Sequence, residues 1–70
     1  MFPAQKTHVN SEFLNQLAAQ LALGKSAVCR RAILRILAVV KTNYETGEYE
    51  NQTEAEKALR RLVKGEKACH

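Results

Sequence analysis

Gly24-Lys25-Ser26 is the segment of this 70-residue chain that comes nearest to a chemical motif, because a Gly-Lys-Ser run can close around a nucleotide phosphate. The complete phosphate loop needs a second glycine where Ala19 stands, and a strand ahead of it. Neither condition is met. The other reactive side chains are scattered: there is no aspartate, and His8 and His70 lie near opposite ends of the chain. Cys29 and Cys69 lack metal-ligand spacing, and the adjacent pair Cys69-His70 offers two ligands where structural zinc takes four. No Ser-His-acid or Cys-His set can be assembled. The chain is therefore expected to be non-catalytic and to need neither a metal nor a cofactor. Without a secretory leader, both cysteines are expected as free thiols in a reducing, cytoplasmic setting.

Charge is the remaining chemistry. The formal net charge is +4 and the pI about 9.4. Basic residues dominate the first 43 positions, where Lys6, Lys25, Arg30, Arg31, Arg35 and Lys41 face only Glu12. Positions 45–56 then carry Glu45, Glu48, Glu50, Glu54 and Glu56 with no basic residue, and positions 57–70 return to Lys57, Arg60, Arg61, Lys64 and Lys67. A basic body with one acidic interlude suits phosphate binding better than membrane binding, since tryptophan is absent and aromatics are few. The longest unbroken apolar run, Ile36 to Val40, is far short of the roughly 20 residues of a membrane span.

The elements that must position these charges are helices. Residues 1–9 read as an arm or a short strand, with Lys6 and His8 on one face. A first helix is expected over 10–22, capped by Asn10 or Ser11, with Phe13, Leu14, Leu17, Ala18 and Leu21 on one stripe. Gly24 interrupts it, and a second helix follows over 25–44. On that helix an arc of roughly 180° holds Val28, Cys29, Ala32, Ile33, Ile36, Leu37, Val39 and Val40, while Arg30, Arg31, Leu34 and Arg35 lie opposite. An acidic turn region spans 45–52, where Tyr44 and Tyr49 could pack on helix ends or pair across a hairpin. Thr53 and Glu56 form a capping box for a third helix over 53–64, striped by Ala55, Ala58, Leu59, Leu62 and Val63. Positions 65–70 read as a loose tail. The fold class is thus mainly α, a small three-helix domain. A core this small commonly needs a second copy, so a packed or intertwined homodimer is expected.

Three resemblances bear on function. Leu14 to Ile33 resembles a helix-turn-helix unit: Leu17, Ala18, Leu21, Leu23 and Val28 take the family's apolar or small positions, Ala22 replaces its turn glycine, and Arg31 stands where an apolar residue is usual. That resemblance implies Lys25, Ser26, Cys29, Arg30 and Ile33 facing the major groove. Leu17, Ala18 and Leu21 also fit the first helix of a ribbon-helix-helix repressor and Ala22 takes its usual glycine position, though Gln5 and Thr7 stand where branched apolar residues are usual, so residues 4–37 resemble that family too. This second likeness implies a dimer buried through Val28, Cys29, Ala32, Ile33, Ile36 and Leu37, to which the apolar arc adds Val40. It also implies base reading by strand residues Lys6 and His8, and a phosphate held near Lys25 and Ser26. Residues 10–48 are similar in helix lengths to the two N-terminal helices of the HU family, without that family's sheet or arm.

The expected function is a small dimeric protein that binds double-stranded DNA, a transcriptional regulator of bacterial, phage or plasmid type. Lys25, Arg30, Arg31 and Arg35 would supply phosphate contacts. The competing expectation is a non-catalytic helical module that binds another protein through Leu34 and the basic face.

Overall fold

The computed structural model describes residues 10–70, which form three helices and a closing 3-10 turn. The expected strand, with Lys6 and His8, lies outside the described residues. Helix α1 spans Glu12–Ala22, α2 spans Ala27–Glu45, α3 spans Gln52–Lys64, and the 3-10 turn covers Lys67–Cys69.

Local side chains decide where each helix begins. Asn10 Oδ1 accepts the Glu12 backbone N–H at 2.9 Å, so Asn10 supports the start of α1 while the Ser11 hydroxyl reaches across to Glu45 Oε2 at 3.4 Å. Ser26 caps α2, its Oγ accepting the Cys29 N–H at 3.2 Å. Helix α3 starts earlier than the Thr53 box suggests: Asn51 is its cap, with Oδ1 accepting the Glu54 N–H at 3.0 Å. Asparagine outranks threonine as a cap, and the earlier start adds helical residues to the same stripe. Gly24 and Gly47 take φ values of +74° and +87° in the two interhelical turns, a left-handed backbone that favours glycine.

Both turns reverse the chain. Ser11 meets Glu45 and Lys41 Nζ donates to Asn15 Oδ1 at 3.1 Å, so α1 runs antiparallel to α2. The third helix returns alongside α2 and brings Cys69 back to its first turn. The three apolar stripes converge on one core: Leu14 and Ala18 from α1, Cys29, Ile33, Leu37 and Val40 from α2, and Ala55, Leu59 and Val63 from α3. Burying a side chain such as Leu14 or Leu59 contributes about 1.5–3 kcal/mol, so these few residues carry most of the apolar stabilisation. Tyr44 and Tyr49 pack against this core from the ends of the helices, and no strand pairing occurs among the described residues.

Two expectations are corrected. The cysteines are not free: Cys29 and Cys69 form a disulfide with Cα atoms 4.6 Å apart across a sequence separation of 40. Nor are residues 65–70 a loose tail. The Glu66 carboxylate accepts the Ala68 N–H at 3.3 Å, the 3-10 turn follows, and the disulfide fastens it. The physical reason is shared: α3 and the turn after it run back along most of the length of α2, so cysteines remote in sequence become neighbours.

The apolar arc of α2 is wider than its cover. Cys29, Ala32, Ile33, Leu37 and Val40 are buried within this single chain, Ile36 is half-buried, and Val28 and Val39 are exposed. The face that the sequence assigns to a second copy is thus filled by α1 and α3. No helix among the described residues is long and apolar enough to cross a membrane.

Candidate nucleic-acid interface

The residues expected to touch phosphate sit around the start of α2. Lys25 and Ser26 are exposed in the turn before it, and Arg30, Arg31 and Arg35 are exposed along it. Arg30 folds back, its Nη1 donating to the Lys25 carbonyl at 2.7 Å, so its guanidinium lies beside the Lys25 backbone. The remaining residues implied by the helix-turn-helix likeness, Cys29 and Ile33, are 1% exposed and point into the core. A groove-reading surface built on α2 would therefore lack two of its members.

The structure brings other basic side chains to Lys25. A cleft of about 540 Å³ opens between the end of α1, the Gly24 turn and the end of α3, lined by Lys25, Arg60, Lys64 and His70 together with apolar Leu21 and Val63. Among the described residues no carboxylate side chain lines it, and the ion pair present lies elsewhere, between Lys57 and Glu54 at 3.8 Å. The His70 Nε2 lies 2.6 Å from the Lys64 carbonyl oxygen. A carbonyl can only accept, so Nε2 is the donor in this bond. Arg61 and Lys64 also occupy the last turn of α3, where cations complement the helix dipole.

Sequence reasoning missed Arg60, Lys64 and His70. The four-residue spacing of Arg60 and Lys64 does place them on one side of a helix. What the pattern lacks is the end of α2 to which that side returns.

The glutamates lie at the opposite pole. Glu12 opens α1, Glu45 closes α2, Glu48 and Glu50 are in the connecting turn, and Glu54 and Glu56 open α3. At a rise of about 1.5 Å per residue, the length of α2 separates this acidic pole from Lys25 by about 28 Å. Glu66 is the exception, engaged with its own backbone at Ala68. Against known proteins, no family model, curated protein or solved structure matches this chain.

Proposed function

We propose that this chain is a small DNA-binding protein, a regulator of bacterial, phage or plasmid type, that grips phosphates with its basic pole. One observation carries the reading: Lys25, Arg60, Lys64 and His70 gather in one cleft, while the glutamates that would repel DNA stand at the far end of α2. Sequence-independent phosphate contact needs cations on a common surface, and the acid at this pole, Glu66, is engaged with the Ala68 N–H. Arg30, Arg31 and Arg35 extend the surface along α2. Base reading, in the ribbon-helix-helix version, falls to Lys6 and His8.

Titration of duplex DNA at several salt concentrations tests the proposal. Each phosphate contact contributes about 0.9 to the slope of log K against log salt, so Arg60→Gln with Lys64→Gln should lower the slope by about two. No binding at low salt overturns the reading. A homodimer would have to use surface outside the three-helix core, and exposed Val28, Val39 and Leu62 provide such surface on α2 and α3. Molar mass in solution decides that point. In a cytoplasmic setting the Cys29–Cys69 bond would be open much of the time, which makes the redox state a variable in every such assay.

A specific observation favours a second reading, a module that binds another protein. A groove of about 380 Å³ runs between α1 and α2, lined by Ala18, Ala22, Ile33, Leu34 and Leu37 with Arg30 at its edge. Leu34 is 61% exposed there, and small alanines permit the close approach of a partner helix. Loss of a partner on Leu34→Glu, with DNA binding unchanged, would separate the two functions.

A further inference from the structure

We infer that Cys69 is a site of thiol–disulfide exchange selective for anionic thiols, and that exchange there releases the wall of the basic cleft. Three observations converge. Cys69 is only half-buried and lines the cleft, whereas its partner Cys29 is 1% exposed, so an incoming thiolate reaches the Cys69 sulfur first. The approach passes Lys25, Arg60 and Lys64, whose positive field concentrates a negatively charged reagent. The group that must leave, the Cys29 sulfur, is held within the core in the first turn of α2, three residues after the cap Ser26, so the adduct forms on the C-terminal segment and not on the helix.

The step balances as follows. A thiolate forms a bond to Cys69 Sγ, the Cys29–Cys69 bond breaks, and the Cys29 sulfur departs with the electron pair and then takes a proton. A monothiol leaves a mixed disulfide on Cys69. A second thiol, attacking the reagent's own sulfur, frees Cys69. Two thiols are then oxidised to one disulfide, and the protein disulfide is reduced to two thiols. What the protein loses is the covalent hold on the 3-10 turn Lys67–Cys69 and on His70, leaving short-range bonds such as Glu66 to Ala68 and His70 to Lys64.

The only dependence on the DNA-binding reading is in the consequence, since release of His70 and Lys67 would alter the phosphate-gripping pole. The test contains no nucleic acid, so failure of that reading leaves it intact. Three thiols of similar size are used on the native full chain: 2-mercaptoethanesulfonate, 2-mercaptoethanol and cysteamine. Mixed-disulfide formation is followed by mass, with rates divided by the thiolate concentration of each reagent. The anionic thiol should react about tenfold faster than the cationic one at low ionic strength, and the ratio should shrink towards one in high salt. Arg60→Gln with Lys64→Gln should collapse the ratio, while Lys41→Gln, near the far end of α2, should preserve it. Peptide mapping should place the adduct on Cys69. Equal rates for the three thiols, adducts mainly on Cys29, or no reaction without denaturant each overturn the proposal. Tail release is read separately, by trypsin cleavage after Lys64 and Lys67, with digests fully reduced before mass analysis. Faster cleavage in the exchanged protein supports release, and equal cleavage removes that part.

Discussion

The Phe13 ring meets the Tyr44 ring edge-on, with centroids 5.2 Å apart and planes inclined at 80°. This contact ties the first turn of α1 to the last turn of α2 and closes the acidic pole of the molecule. Edge-to-face pairs add about 0.5–1.5 kcal/mol beyond area burial. Replacing Phe13 by leucine should therefore lower stability by about 1 kcal/mol, measured by urea unfolding, while leaving DNA titrations unchanged. A neutral result would mean that the ring pair does not fasten α1.

Core truncation should separate from surface truncation. Leu59 is wholly buried and Leu34 is 61% exposed. Leu59→Ala is expected to cost about 2–5 kcal/mol, enough to unfold much of a domain this small, while Leu34→Ala should stay within about 0.5 kcal/mol. Circular dichroism melts of the two variants check this, and the reverse ranking would mean that Leu34, not Leu59, is buried.

The cap of α3 is testable at single-residue level. Asn51→Ala removes the acceptor for the Glu54 N–H and should cost about 1 kcal/mol. Thr53→Ala alters a residue already inside the helix and should change little. The reverse ranking, measured by chemical denaturation, would place the start of α3 two residues later.

Reduction of the disulfide should destabilise the chain without dissolving it. Closing a loop across a separation of 40 residues contributes up to about 4 kcal/mol in the chain-entropy model. Denaturant midpoints of the oxidised chain and of Cys69→Ser should differ accordingly. Because α2 and α3 lie inside the closed loop and α1 lies outside it, hydrogen exchange in the oxidised chain should reach α1 first.

The helices were legible in the sequence because each carries an apolar stripe at helical spacing, and Leu14, Ala18, Ile33, Leu37 and Leu59 all point where that spacing directs them. The mainly α class followed from the same pattern. Val28 and Val39 fall within the apolar arc yet stay exposed, because periodicity reports which face is apolar but not how much of it the neighbouring helices cover. Cys29 and Cys69 are a different case. Nothing local couples them, and only the antiparallel return of α3 makes them neighbours. Arg60, Lys64 and His70 join Lys25 for the same topological reason, so the cleft could not be found by scanning for motifs.

The separation of Glu45, Glu48 and Glu50 from Lys25, Arg60 and Lys64 has a mechanical consequence. Near a polyanion the two poles feel opposite forces, so the molecule experiences a torque before it experiences contact. It would arrive already turned, with the cleft leading and the Phe13–Tyr44 end trailing. Orientation would then be settled in solution, at distances where no side chain has yet met a phosphate. At the surface, docking would need little further search.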